Sequence, residues 1–276
     1  GQVITRARVL ETFRGFVIDE ELRDRLGPAL NSRRAMFLYG YAGTGKTYTA
    51  RRMARALKGL VLVPHAISVN ESVIEIFDPL CHHPAELPGA PSPTRLEEGF
   101  DPRYIACERP IVLTGGELAA DMLEVQCDSA TRTYSAPIQM KANNGILLID
   151  DFGRQVMSPR ELLNRWIVPL DRRVDYLSLS YGLKFEIPFE MSVIFSTNLD
   201  PLKLADEAFL RRIQNKIYVE PVGPEIFDRI FHQIMEKKSA PHESGSADFL
   251  RKLCSQFGCK ELRACYPGDI INIVEC

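Results

Sequence analysis

No apolar run in this chain approaches the roughly 20 residues that a helix needs to cross a bilayer. Its first residues, Gly1, Gln2, Val3, Ile4, Thr5 and Arg6, carry no secretory h-region. Net charge is also small: 34 basic side chains against 36 acidic ones leave −2, so no global field draws the chain to nucleic acid. The seven cysteines (Cys81, Cys107, Cys127, Cys254, Cys259, Cys265, Cys276) are scattered and odd in number, with no C-x-x-C. Reduced thiols of a cytoplasmic protein are the expectation, rather than disulfides. Cys81, His82 and His83 sit together in a proline-rich loop, but no second ligand pair lies at metal spacing, which argues for a structural or incidental role over zinc. Internal repeats and low-complexity tracts are lacking. What remains is a globular composition, 45% hydrophobic and 25% charged over 276 residues, long enough for one large domain and a small one. The chain does not begin with Met, so a processed or cut piece of something longer is expected.

The residues Gly40, Tyr41, Ala42, Gly43, Thr44, Gly45, Lys46 and Thr47 spell G-x-x-x-x-G-K-T. Before them, residues 35–39 are short and apolar, as a buried strand should be. After them, Ala50, Met53, Ala54 and Leu57 recur at helical spacing, so a helix opens at about Lys46. Strand, glycine loop and helix together make a phosphate cradle. Glycines let the backbone wind where a Cβ would block it, and the exposed N–H groups and helix dipole face the anion. Lys46 can bring its charge to the β- and γ-phosphates, and the Thr47 hydroxyl can ligate Mg²⁺. Tyr48, next in line, is grouped with the cradle. Lys46 is expected to face phosphate and to pack against nothing essential.

A second decisive stretch is Gly145, Ile146, Leu147, Leu148, Ile149, Asp150, Asp151. It describes a central parallel strand that delivers two carboxylates to the sheet edge where ligands bind in open α/β folds. One acid can hold the Mg²⁺ shell and the next can orient a water against the γ-phosphate.

Around these motifs, a helix from about Asp19 carries Leu22, Leu26 and Leu30 on one face, and 60–63 is a strand candidate. From Pro79 to about Arg103 the chain is rich in proline and glycine and irregular. The runs 111–114 and 122–125 read as strands of an inserted β-rich element. Ser158, Pro159, Arg160 and Glu161 form a capping box for a helix through Leu162, Leu163, Trp166 and Ile167. Runs 174–179 and 183–187 flank Tyr181-Gly182 as a hairpin. A buried strand over 191–196 ends in Thr197-Asn198, and a last strand lies near 216–219. Helical patterns then take over, at 226–235 and 247–257.

With these motifs in order, the chain resembles the AAA+ ATPases, and within them the MoxR-like branch, over about residues 22–219. The resemblance implies an α/β fold: a P-loop NTPase αβα sandwich with a parallel five-stranded sheet over residues 1–220, carrying a β-rich insertion at about 79–140. A small helical lid domain, incomplete at its end, would follow over 221–276. It implies that residues 40–47 are Walker A and 146–151 Walker B. Asn198 would be sensor 1, an amide that positions the attacking water; as a bare residue it reads equally as a cap in a turn. Arg211 or Arg212 would be the finger that reaches the γ-phosphate of the neighbouring subunit. On its own, an arginine pair at a helix end is usually a solvated face, although only Arg offers the always-charged fork that a finger needs.

Two departures stand out. The second Walker B acid of the family is Glu, and here it is Asp151. At Tyr266-Pro267-Gly268-Asp269-Ile270 the family's sensor 2 Arg is replaced by Gly268, leaving Arg263 as a substitute or the sensor missing. The expected function is Mg²⁺-dependent ATP binding and hydrolysis by a homo-oligomer, a hexameric ring, that remodels a protein client. The alternatives are an ATP-gated switch with little hydrolysis, or a nucleic-acid motor. The near-neutral charge argues against the last.

Overall fold

A computed structural model describes residues 3–85, 101–240, 243 and 245–274. Its centre is a five-stranded sheet in the order Asn215–Tyr218, Met36–Tyr39, Ser192–Thr197, Ile146–Ile149, Ile111–Thr114, with every neighbour parallel. The sequence accounts for this arrangement. Strands covered on both faces must be apolar throughout rather than alternating, and every residue of Ile146–Ile149 and Ser192–Thr197 is buried. Phe37, Leu147, Ile149, Phe195 and Trp166 fill one face. Met36, Leu38, Leu148 and Ile194 fill the other, against Leu26, Leu30, Ala50 and Met53. The register sets Tyr39 beside Thr197 and Thr114 beside Ile149, so the chain leaves these strands at one common edge. That edge carries the glycine loop, the two acids and Asn198.

The helices follow their caps. Asp19 accepts from the backbone N of Glu21 and Leu22 to start Glu20–Asn31. Ser158 and Glu161 form the expected capping box of Pro159–Arg165. The helix expected to run through Trp166 and Ile167 instead breaks at Trp166 and restarts as Ile167–Arg172. Pro169 accounts for the break: its ring would collide with the carbonyl four residues back, at Arg165. Trp166 sits fully buried at the joint, edge-on to Phe189 at 5.6 Å.

The β-rich elements differ from the expectation in two places. Ile111–Thr114 is not part of an insertion; it is the edge strand of the main sheet, paired with Ile146–Ile149. Residues 122–125 do not form a strand either. Ala120–Leu123 is a 3₁₀ turn, and Leu123 buries its side chain while its carbonyl accepts from the buried Gln139 amide. The strand beside it is Gln126–Cys127.

Leu60–Pro64 pairs antiparallel with Tyr104–Glu108, outside the main sheet. A further hairpin, Ala66–Val69 with Ser72–Glu75, joins Tyr134–Ser135 and Gln126–Cys127 in a four-stranded sheet. The hairpin around Gly182 forms as Val174–Ser178 with Lys184–Pro188. These pieces share one apolar cluster that includes Ile74, Cys107, Tyr134, Leu177 and Ile187. The proline-rich excursion lies partly outside the described residues, as do its prolines Pro88, Pro91 and Pro93.

After Gly223 the described chain is helical. Pro224–Lys238, Ser246–Gln256 and Tyr266–Val274 close round their own core of Phe227, Phe231, Leu250, Cys254 and Ile271. Cys276, where the lid was expected to stop short, lies outside the described residues. No helix among the described residues is long and apolar enough to cross a membrane.

Candidate functional site

A cavity of about 920 Å³ opens at the common strand edge, between the glycine loop, the segment 15–18 and the C-terminal helices. Its volume falls in the usual range for small-molecule sites. The loop needs its glycines for space as well as for conformation. Gly43 has φ +79°, and a Cβ there would lie 2.5 Å from Cys265 Sγ. A Cβ on Gly40 would lie 2.4 Å from the Val219 carbonyl oxygen. Both approaches bring other segments hard against the loop, and Cys265 N also donates to Gly43 O at 3.1 Å.

Lys46 is only 6% exposed. Its Nζ donates to Gly40 O at 3.0 Å, Tyr41 O at 2.7 Å and Asn198 Oδ1 at 2.6 Å. This corrects the expectation that Lys46 packs against nothing essential, because its ammonium ties the loop to the end of the Ser192–Thr197 strand. Burial pushes its pKa down; the carboxylates of Asp151 and Asp150 oppose that shift, and Arg263 adds to it.

Thr47 Oγ1 donates to Asp150 Oδ1 at 3.0 Å. Asp150 Oδ1 also accepts from the backbone N of Asp151 at 3.1 Å. Asn198 Nδ2 donates to Asp151 Oδ1 at 3.2 Å. One hydrogen-bonded network therefore joins Lys46, Asn198 and Asp151, and a second contact joins Thr47 to Asp150. Thr47 and Asp150 supply a hydroxyl and a carboxylate, the hard oxygen donors that suit Mg²⁺. No cluster of three metal-binding side chains exists among the described residues. Mg²⁺ is usually held by one or two protein oxygens together with phosphate and water.

The other expected site residues fall in three groups. Tyr48 lines the cavity, but its ring lies parallel on Phe16 at 5.8 Å. Arg263 stands beside the loop, its guanidinium between the rings of Tyr41, at 5.9 Å, and Tyr266, at 5.7 Å. Gly268 lines the cavity wall. Arg211 and Arg212 follow the short helix Glu207–Leu210 and are not among the cavity residues; the structure does not bring them to this chain's own loop.

Three features went unread in the sequence. Phe16, Val17 and Ile18 form a cavity wall, and Gln233 Nε2 crosses from the helical part to donate to Gly15 O. Cys265 packs on Gly43, with burial, reinforced by Asp269, pushing its thiol up to about 11. Gln155 braces the acidic turn. Only Phe16 to Ile18 left a trace, an apolar run without helical spacing just before the capping Asp19. His82 uses both ring nitrogens in the fold, accepting from Asp78 N and facing Lys141 O, both at 2.9 Å, which agrees with a structural role.

Among solved structures, the complex of subunits BchI and BchD of magnesium chelatase matches with a TM-score of 0.52 and 16% identity, covering 95% of this chain and 73% of that one. NtrX from Brucella abortus in complex with ATP matches with a TM-score of 0.50 and 14% identity, covering 87% of this chain and 46% of its own. What these likenesses share with the chain is the fold, an αβα sandwich around a parallel five-stranded sheet. The chain spans about half the length of NtrX. No protein-family model matches the sequence, and no curated protein does.

Proposed function

We propose that the chain is a Mg²⁺-dependent ATPase of the AAA+ type, close to the MoxR-like branch, acting in the cytoplasm as a homo-oligomeric ring that remodels a protein client. The observation that carries this reading is the network joining Lys46, Asn198 and Asp151 in the cavity, beside the Thr47–Asp150 pair. NtrX is described in complex with ATP, and the chelatase subunits in complex with each other. Both support the reading.

The chemistry follows from the groups present. A triphosphate in the loop offers Lys46 anionic acceptors in place of two backbone carbonyls and an amide, so that its charge meets an opposite charge rather than a dipole. Thr47 and Asp150 would hold Mg²⁺, which neutralises charge on the phosphates. Asp151 and Asn198 then orient a water for in-line attack on the γ-phosphorus, with ADP leaving. Arg263 would approach the phosphates from the lid side as sensor 2, and Arg211 or Arg212 from a neighbouring copy. A switch that binds ATP and hydrolyses it little is the second reading, favoured by the short Asp151 and by Gly268.

The test separates the two acids. Asp150→Asn is expected to weaken Mg²⁺-nucleotide binding, whereas Asp151→Asn should spare binding and suppress steady-state turnover. Wild-type protein that binds ATP but shows no turnover would select the switch. Protein that binds no nucleotide would end both readings.

A further inference from the structure

The acidic turn after Ile146–Ile149 passes through Asp151 at φ +47°. Residues with a Cβ rarely adopt this left-handed backbone, and it persists where the surroundings over-determine it. One side of the turn is anchored by Phe152. Its ring is 1% exposed, its N donates to Ser196 O at 2.7 Å, and its carbonyl accepts from Thr197 Oγ1 at 2.7 Å.

The other side is held by the Gln155 carboxamide together with one turn hydrogen bond, Arg154 N donating to Asp151 O at 3.0 Å. Gln155 Nε2 donates to Asp150 O at 2.9 Å and to Asp151 O at 3.2 Å. Its Oε1 accepts from Gly153 N at 2.7 Å. One planar group therefore spans the turn with two donor contacts and one acceptor contact, touching the backbone of both acids. Gln155 itself is not among the residues that line the cavity.

The consequence concerns reach. A carboxylate on one methylene has little freedom to search for its partner, so the backbone path decides where it stands. In this turn Asp151 Oδ1 stands 3.2 Å from Asn198 Nδ2. The same turn directs the N–H of Asp151 onto Asp150 Oδ1 at 3.1 Å.

We propose that Gln155 is a positioning residue for hydrolysis: it locks the left-handed turn that aims the Asp151 carboxylate at Asn198 and the attacking water. This rests on the hydrolytic reading above. Gln155 acts on the reaction only through Asp151, and it leaves nucleotide binding to the glycine loop, Lys46, Thr47 and Asp150.

The experiment measures kcat, nucleotide Kd and the melting midpoint for Gln155→Ala and Gln155→Glu, alone and with Asp151→Asn. Displacing a reacting group by about 1 Å can cost about 10²-fold in rate, so Gln155→Ala is expected to lower kcat by roughly ten- to a hundredfold at unchanged Kd. Gln155→Glu, assayed at about pH 8, keeps the length and the acceptor for Gly153 but loses both donor contacts. It should lose rate as the alanine variant does. In the Asp151→Asn background, Gln155→Ala should remove nothing further, because residues acting through one group are non-additive.

Wild-type kcat in both single variants would overturn the proposal. So would an equal fold loss with and without Asp151, or a loss confined to Kd. If wild-type protein has no turnover, this inference and the hydrolytic reading fall together. If wild type turns over and only the Gln155 variants are indifferent, this inference falls alone.

Discussion

At the scale of single residues, Lys46 shows how a binding group becomes structural. Its ammonium serves Gly40 O, Tyr41 O and Asn198 at once, and the contact with Gly40 O is buried. Removing a donor from a buried acceptor costs about 1–3 kcal/mol. Lys46→Ala is therefore expected to lose nucleotide binding and also to melt a few degrees lower. A folded variant that binds and turns over ATP as wild type does would remove the assignment. The residue types of this site were legible in advance, since G-x-x-x-x-G-K-T between strand and helix has few other uses. The contacts from Cys265 to Gly43 and from Gln155 to the acidic turn were not. Neither rests on a motif: a lone cysteine and a lone glutamine acquire their meaning only from what packs beside them.

At the scale of elements, the hairpin around Gly182 is tied to the body of the protein by an ion pair whose acid is buried. Asp175 is 1% exposed, and it accepts from Arg165 Nη1 at 2.5 Å and from Gln139 Nε2 at 3.2 Å. Arg165 ends the helix whose capping box follows the acidic turn, and it also meets Glu124 at 3.1 Å. Removing Asp175 leaves the part-exposed Arg165 to Glu124 alone and takes an acceptor from the buried Gln139 amide, a cost of about 1–3 kcal/mol. Asp175→Ala is expected to destabilise the protein by that order and to raise hydrogen exchange over residues 174–188 before the main sheet opens. Unchanged protection there would mean that Leu177 and Ile187 hold the hairpin without the ion pair. The strand 111–114 teaches a related lesson. As three apolar residues and a threonine between Pro110 and Gly115, it fits an insertion or a core edge equally well. Only pairing with Ile146–Ile149 decides between them.

At the scale of the whole molecule, the arginine pair is the remaining question. Arg211 and Arg212 stand away from this chain's cavity, so any action on the γ-phosphate must come from a second copy. Fingers supplied in this way are worth about 10³ to 10⁵ in rate. The double variant Arg211→Ala, Arg212→Ala should bind ATP but turn over far more slowly than wild type. Mixed with Lys46→Ala, it should recover activity, since mixed assemblies contain interfaces where an intact loop meets intact arginines. Wild-type turnover by the double variant alone would return the pair to a solvated helix end.

Local chemistry written in the sequence sufficed for the glycine loop between strand and helix, the acidic strand, the capped helices and the parallel sheet. Each depends on neighbours within a few residues: φ freedom at glycine, side chains that cap the next turn, and apolar runs that must be covered on both faces. Tertiary structure decided which strands share the main sheet and where Arg263 stands. It also decided which side chains hold Asp151 in its left-handed turn. Those outcomes turn on contacts between segments far apart in the chain, as between Lys46 and Asn198 or Gly43 and Cys265, and no local pattern encodes the partner.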